Sequence, residues 1–115
     1  MLFFHRRIDR NSSYANPQKL KEIIDGSEPH LLIDVRTPSE YASGHIPTAR
    51  LIPHRQIVSG VPTTDKDQLI VVYCQSGARS ATAKRSLLAA GYSNVVNFGP
   101  VSRWPGSLDS GGEGE

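Results

Sequence analysis

Residues 69–91 read LIVVYCQSGARSATAKRSLLAAG: a continuous apolar run, a short polar stretch and an alanine-rich segment that ends at a glycine. The apolar run, Leu69–Tyr73, predicts a strand that is buried on both faces, as in parallel sheets. The segment Ser80–Ala90 predicts a helix that stops at Gly91. A buried strand joined to a helix by so short a turn is typical of a parallel α/β sheet.

Three further apolar runs and two helix starts repeat this pattern along the chain. The runs, each of which predicts a strand, are Leu31–Val35, Ala49–Ile52 and Val95–Phe98. Asn16 and Thr37 each precede a proline and predict helix N-caps, and Glu40 completes a capping box with Thr37. Strands that alternate with helices predict right-handed crossovers and a parallel sheet, in which ligands bind at the carboxyl ends of the strands.

Cys74 is the single cysteine of the 115-residue chain and follows the strand predicted at Leu69–Tyr73. A cysteine reacts as its thiolate, which a helix N-terminus and a neighbouring arginine, here Arg79, stabilise. Gly77 can adopt a positive φ, so that backbone N–H groups turn inward around the sulfur. These residues predict an anion-binding cradle with a nucleophile at its bottom. A buried structural cysteine, the alternative, leaves the glycine and the arginine without a role.

Two more arginines follow predicted strands, so that three guanidinium groups are expected at one edge of the sheet. Arg36 follows the strand at Leu31–Val35, and Arg103 follows the last strand. Together with Arg79 they indicate an anionic substrate. Arg36 also stands four residues before Glu40, and a local ion pair between these two is an equally good interpretation. For Arg103 we favour a solvated position on the surface.

The length and composition indicate one domain with one core. We expect residues 1–13 to form a flexible segment, residues 14–106 the domain, and residues 107–115 a disordered glycine-rich, acidic tail. Thirteen basic and 11 acidic side chains give a net charge of +2, which is too weak and too scattered for a nucleic-acid-binding surface. One cysteine permits no internal disulfide, the four histidines show no zinc-ligand spacing, and no cofactor or metal is expected.

The sequence also bears on the cellular location. None of its apolar runs is as long as a membrane span. Residues 1–4 are apolar and precede His5-Arg6-Arg7, which is the reverse of the charged-then-apolar order of a signal peptide. We expect a cytoplasmic monomer. A periplasmic or membrane-tethered protein is the alternative if a leader or anchor is missing from this sequence.

The motifs of this chain resemble those of the single-domain rhodaneses, a family of sulfurtransferases. The resemblance rests on three motifs in the family's order, namely LIDVRTPSEY at 32–41, GHIPTA at 44–49 and CQSGARS at 74–80. It implies a five-stranded, mostly parallel sheet with helices on both faces. Two positions depart from the family pattern: Thr48 stands where glycine is usual, and Gly99-Pro100 stands where a pair of glycines is common.

The same resemblance implies a catalytic cysteine that carries sulfane sulfur as a persulfide. Cys74 matches that cysteine, and the matching substrate-binding loop comprises Gln75, Ser76, Gly77, Ala78, Arg79 and Ser80. Asp34, Arg36 and His45 match signature positions, and we interpret them as supporting residues and not as acid–base catalysts. The implied donor is a small anion such as thiosulfate, and the implied acceptor is cyanide or a cellular thiol.

Two alternative functions remain open. Cysteine phosphatases of the dual-specificity type resemble rhodaneses in fold but place five residues between the nucleophile and the arginine, whereas four separate Cys74 from Arg79. The shorter loop is expected to enclose one sulfur atom and to exclude a phosphoryl group. The second alternative is a non-catalytic rhodanese module that binds a partner protein; such modules often lack the cysteine that this chain has.

Overall fold

The computed structural model describes residues 15–26 and 29–112. Within these ranges, four strands pair in parallel in the order β2-β1-β3-β4. The strands are β1 Leu31–Asp34, β2 Arg50–Leu51, β3 Ile70–Cys74 and β4 Val95–Pro100. The helices are α1 Pro17–Asp25, α2 Pro38–Ser43, α3 Ile57–Gly60 and α4 Ala78–Ala89, and 3₁₀ turns cover His54–Gln56 and Val101–Arg103.

The α/β fold with a parallel sheet is confirmed, and each of the four strands lies within two residues of its predicted bounds. The expected fifth strand was wrong for residues 15–26 and 29–112, which form four. That expectation came from the family resemblance alone. Each of the four apolar runs in the described residues forms one strand, and these residues contain no further apolar run that could form a fifth strand. The segment 1–13, expected to be flexible, lies outside the described residues.

The sheet is covered on both faces because successive side chains of its strands alternate. The cluster on one face joins the sheet to α1 and α2 and includes Leu20, Leu32, Tyr41, Val71, Tyr73 and Phe98. The cluster on the other face joins it to α3 and α4 and includes Ile33, Ile57, Val72, Cys74, Ala83 and Leu87. Cys74 therefore ends a strand and also belongs to the hydrophobic core on the α4 face.

Both predicted helix N-caps are present. The Asn16 side chain accepts hydrogen bonds from the backbone N–H groups of Gln18 and Lys19, at 2.9 and 3.3 Å. Thr37 and Glu40 form the expected capping box, in which each side chain accepts a hydrogen bond from the other residue's backbone N–H. These contacts fix where α1 and α2 begin.

The helix after the cysteine begins earlier than predicted. Gly77 has a φ of 99° and serves as the N-cap of α4, so that the helix starts at Ala78 and not at Ser80. A positive φ is readily available to glycine alone, and it lets the chain turn from β3 into α4 within three residues. Arg79 and Ser80 consequently belong to the first turn of the helix.

The strand order brings the ends of β1 and β3 together. The chain leaves β1 toward β2 on one side, while β3 lies on the other side of β1. Where consecutive connections leave a strand in opposite directions across the sheet, a crevice opens at the carboxyl ends of the two adjacent strands, here β1 and β3. Asp34 is in register with Tyr73, so the residues that follow them are neighbours at this edge.

Part of the C-terminal segment, for which the sequence predicts a disordered tail, makes backbone contacts with the domain. His45 and Asp109 exchange backbone hydrogen bonds of 2.8 and 2.9 Å, and Gly111 donates its N–H to the carbonyl of Ala42 at 2.7 Å. These hydrogen bonds connect the segment to α2 and to the residues that follow α2. Residues 113–115 lie outside the described residues.

Thr48 is the only non-glycine residue with a positive φ, 73°, among residues 15–26 and 29–112. A β-branched residue in this conformation is strained. We expect Thr48→Gly to raise the free energy of unfolding by about 1 kcal/mol, because the relief of strain exceeds the entropic cost of glycine. We expect the relief of strain also to exceed the free energy lost with the 3.0 Å contact between the Thr48 hydroxyl and the His30 ring.

Urea unfolding measures this difference. The control is Thr48→Ala, which also removes the hydroxyl but keeps a Cβ at the positive φ, and which should not gain stability. Equal stability of the glycine variant and the wild type would show that Thr48 is not strained.

Candidate active site

Cys74 Sγ accepts hydrogen bonds from the turn and the helix that follow it. The N–H of Gly77 lies 3.0 Å from the sulfur. The N–H and the hydroxyl of Ser80 each lie 3.4 Å away. Of the six loop residues predicted from the sequence, Gly77 and Ser80 thus lie closest to the sulfur, whereas Gln75 and Ser76 are exposed.

The hydrogen bonds to Cys74 favour its ionised form. Burial by itself raises the pKa of the thiol. The Ser80 hydroxyl and the backbone N–H groups of Ser80, Gly77 and Ser76 outweigh that effect, and the pKa lies below the ordinary value of a thiol. The positive end of the α4 dipole acts in the same direction. Such surroundings suit a sulfur that reacts as its thiolate, with no general base required.

Removing the Ser80 hydroxyl tests whether its hydrogen bond lowers the pKa of Cys74. We expect Ser80→Ala to raise the pKa of Cys74 toward the ordinary value, because one stabilising donor is lost while burial stays. The rate of alkylation by iodoacetamide, measured against pH, reports the pKa, and its inflection should move to higher pH. Ser86→Ala, two turns further along α4, is the matched control and should leave the inflection in place. An unmoved inflection in the Ser80 variant would mean that the hydroxyl does not stabilise the thiolate.

Arg79 forms an ion pair with Glu40 and does not contact the sulfur directly. Its two terminal nitrogens lie 2.8 and 2.9 Å from the two carboxylate oxygens. This bidentate contact lowers the pKa of Glu40 to about 2. The pair connects the first turn of α4 to the start of α2, and Arg79 acts on the Cys74 thiolate through its charge.

Arg36 forms a buried ion pair with Asp34 directly after β1. Arg36 Nε lies 2.9 Å from Asp34 Oδ1, and Nη2 lies 2.6 Å from Oδ2. The side chains are 4% and 0% exposed. The remaining donors of Arg36 reach the Gly44 carbonyl at 2.6 Å and the Gln75 side-chain oxygen at 3.0 Å. Arg36 thereby holds the residue that follows Cys74.

The local ion pair between Arg36 and Glu40, one of the two interpretations of their spacing, was wrong. Asp34 turns the guanidinium of Arg36 inward, and Glu40 binds Arg79 from 39 residues further along the chain. The reason is the packing of the first turn of α4 beside the capping box of α2, which no local spacing reveals.

Tyr73 completes this buried polar group and was not predicted from the sequence as a site residue. Its hydroxyl accepts the N–H of Ile46 at 3.0 Å. Burial, and next the charge of Asp34, raise the pKa of Tyr73 far above its usual range, so that the phenol stays protonated. The only signal in the sequence was a tyrosine in an otherwise aliphatic run.

His45 and Arg103 lie in structural contacts at the periphery of the site. The His45 ring stacks on Tyr41 with 3.7 Å between the ring centroids, and its Nδ1 lies 2.8 Å from the Tyr41 carbonyl. Arg103 donates to the Phe98 carbonyl at 2.5 Å and lies over the Phe98 ring. The three arginines thus do not form a ring of free cations around a substrate, because each is bound to another part of the fold.

Pro100, one of the departures from the family pattern, lies against the cradle. It is in register with Cys74 across the sheet, and its Cδ lies 3.6 Å from the position that a Cβ on Gly77 would take. Gly99 keeps the positive φ, 97°, for which glycine is suited. Since proline has no N–H, this edge of the cradle offers no backbone donor at residue 100.

Among the described residues, no helix combines the length and the apolar character that crossing a membrane requires.

Comparisons with known proteins identify the family. The model of the rhodanese-like domain matches residues 16–99. A sulfurtransferase from Allochromatium vinosum is 39% identical over 88 residues, which cover 76% of this chain and 82% of that protein. A thiosulfate:glutathione sulfurtransferase from Saccharomyces cerevisiae is 31% identical over 118 residues, which cover 90% and 80%.

A solved structure of a rhodanese with anions from E. coli superposes with a TM-score of 0.64 and 33% identity, over 72% of this chain and all of that one. The shared fold and the shared sequence together show that this chain belongs to the rhodanese family of sulfurtransferases.

Proposed function

We propose that this protein moves sulfane sulfur from an anionic donor such as thiosulfate to a thiol or cyanide, with Cys74 as a persulfide carrier. The observation that carries the proposal is the position of Cys74 Sγ at a helix N-terminus, where Gly77 and Ser80 stabilise its thiolate. The name of the yeast relative supports thiosulfate as donor and a thiol as acceptor. The E. coli rhodanese with anions supports a site suited to negative charge.

In the first half of the cycle the Cys74 thiolate attacks the outer sulfur of thiosulfate. A bond forms between the two sulfurs, the S–S bond of thiosulfate breaks, and sulfite leaves with the electron pair. Because Cys74 is 0% exposed, the donor must displace part of the turn at 75–77 to reach the sulfur. The donors around Sγ then stabilise the anionic persulfide as they stabilise the thiolate.

In the second half the acceptor attacks the outer sulfur of the persulfide. With cyanide, a carbon–sulfur bond forms, the S–S bond breaks, thiocyanate leaves, and Cys74 returns as the thiolate. The lowered pKa of Cys74 favours this step as well, because a stabilised thiolate is a good leaving group.

Intact mass spectrometry tests the persulfide directly. After incubation with thiosulfate and removal of the excess, we expect the chain to gain the mass of one sulfur atom and to lose it again when cyanide is added. A chain that gains no sulfur from thiosulfate or another sulfane donor would overturn the proposal and favour the non-catalytic, partner-binding module.

A side-by-side assay separates sulfur transfer from the phosphatase alternative. Four residues between Cys74 and Arg79 give a turn in which the N–H of Gly77 lies directly on the sulfur, which leaves little room for a phosphoryl group. We expect the unmodified protein to form thiocyanate from thiosulfate and cyanide and to leave an aryl phosphate intact. Phosphate release without a persulfide on Cys74 would decide for the phosphatase.

A further inference from the structure

A cleft of about 300 Å³ lies beside the cradle at the carboxyl edge of the sheet. It extends from the turn after β1 to the 3₁₀ turn after β2. Its polar lining consists of Arg36, Thr37, His54, Arg55, Gln56 and Arg79. Its lining contains three arginines and no carboxylate, so the cleft suits an anionic ligand.

Arg55 is the arginine of this cleft that has no partner within the described ranges 15–26 and 29–112. Arg36 is bound to Asp34, and Arg79 is bound to Glu40. Arg55 is exposed, and its side chain makes neither a hydrogen bond nor an ion pair with another described residue. Its planar guanidinium matches the two oxygens of a carboxylate, which it can bind through two parallel hydrogen bonds.

The cleft continues into a groove between α3 and α4. His54 and Arg55 line both, and Thr82 and Ser86 form the α4 side of the groove, which measures about 550 Å³. Arg85 donates a hydrogen bond to the Thr82 hydroxyl at 3.2 Å and adds to the positive charge there. The lining of the groove contains no carboxylate either.

The cleft adjoins the cradle through two residues. Arg36 lines the cleft and holds Gln75, the neighbour of Cys74, at 3.0 Å. Arg79 lines the cleft from the first turn of α4, which also supplies Ser80 to the sulfur. A ligand bound at Arg55 therefore lies at the same edge of the sheet as the outer sulfur of a persulfide.

We propose that this cleft is the acceptor subsite and that it binds the carboxylate of a small thiol, with Arg55 as the main contact. The inference rests on the sulfur-transfer function proposed above. The cleft fits an acceptor better than the donor, because thiosulfate is a compact anion that needs only the cradle, whereas a cleft of this size suits a small organic molecule.

The bound acceptor reacts through its own sulfur. Its thiolate attacks the outer sulfur of the Cys74 persulfide, the persulfide S–S bond breaks, and Cys74 leaves as the thiolate. The outer sulfur passes to the acceptor and takes up the proton that the acceptor thiol gave up, so that the acceptor leaves as a persulfide. The carboxylate takes no part in these bond changes, and its contact with Arg55 serves to position the attacking sulfur.

Two acceptor thiols that differ in the carboxylate provide the test. Mercaptopropionate carries it, and mercaptoethanol has a hydroxyl instead. For each, kcat/KM is measured with thiosulfate as donor, and their ratio defines the carboxylate preference. We expect Arg55→Gln to lower this preference about three- to tenfold relative to the wild type, as for one exposed ion pair. Arg55→Lys should retain part of it. Comparing ratios between proteins cancels the intrinsic reactivity of the two thiols.

Arg50→Gln is the matched control, because it removes another exposed arginine, from β2, that does not line the cleft. It should leave the preference unchanged. The subsite proposal is wrong if Arg55→Gln shows the same carboxylate preference as the wild type. It is also wrong if Arg50→Gln loses as much of that preference as Arg55→Gln does. Cyanide has no carboxylate, so an assay with cyanide as the acceptor distinguishes failure of the subsite from failure of the sulfur-transfer function. If Arg55→Gln forms thiocyanate at the wild-type rate, the proposed sulfur transfer stands even when the subsite fails. If the wild-type protein forms no thiocyanate, the proposed sulfur transfer itself is wrong.

Discussion

Replacing Cys74 with serine is expected to abolish sulfur transfer, by at least about a thousandfold, while the protein stays folded. The serine hydroxyl fills nearly the same space and can accept the hydrogen bonds of Gly77 and Ser80. It does not ionise near neutral pH, however, and it cannot carry a persulfide. Thiocyanate formation from thiosulfate and cyanide measures the loss.

Thermal unfolding by circular dichroism provides the control for the serine variant, whose melting temperature should stay close to that of the wild type. Cys74 is part of the α4-face core, so a variant that is unfolded would say nothing about catalysis, and Cys74→Ala then serves as the second variant. Substantial turnover by either folded variant would exclude Cys74 as the sulfur carrier.

Breaking the buried ion pair is expected to cause the largest loss of stability. Arg36→Gln leaves the carboxylate of Asp34, which is 0% exposed, without its counter-charge, and we expect a loss of about 3–5 kcal/mol. This is a large part of the roughly 5–15 kcal/mol that stabilises a typical domain. Urea unfolding measures the loss, and Arg50→Gln, an exposed arginine outside this network, should change stability by about 0.5 kcal/mol or less.

A second substitution distinguishes the unpaired charge from the loss of packing. Asp34→Asn in the Arg36→Gln background removes the uncompensated carboxylate, so the double variant should recover part of the lost stability. A double variant that is as unstable as the sum of its single substitutions would show that the two side chains do not interact energetically.

The parts of the fold that the sequence predicted are those set by neighbouring residues. Asn16 and Thr37 were recognisable as N-caps because the hydrogen bonds of a cap span two or three residues. The four strands were recognisable because a strand buried on both faces is a continuous apolar run. Cys74 and Gly77 were recognisable because the turn between a strand and a helix lies within one short stretch of sequence.

The parts that the sequence did not predict depend on residues far apart in the chain. Glu40 and Arg79 are separated by 39 positions, and the spacing of four between Glu40 and Arg36 favoured the wrong partner. The contact between His45 and Asp109 joins the middle of the chain to a segment whose glycines suggested disorder. Only the tertiary packing decides such pairings, since several partners satisfy the same charge or backbone group.

The depth at which Cys74 lies determines the regiochemistry of attack on the proposed persulfide. The residue is 0% exposed, and the N–H groups of Gly77 and Ser80 crowd its sulfur, so an incoming nucleophile meets the outer sulfur first. Attack there releases Cys74 and turns the carrier over. Attack on the inner sulfur would expel hydrosulfide and leave the acceptor joined to Cys74 as a mixed disulfide. In the proposed cycle, shielding of the inner sulfur thus protects Cys74 from inactivation by the acceptor.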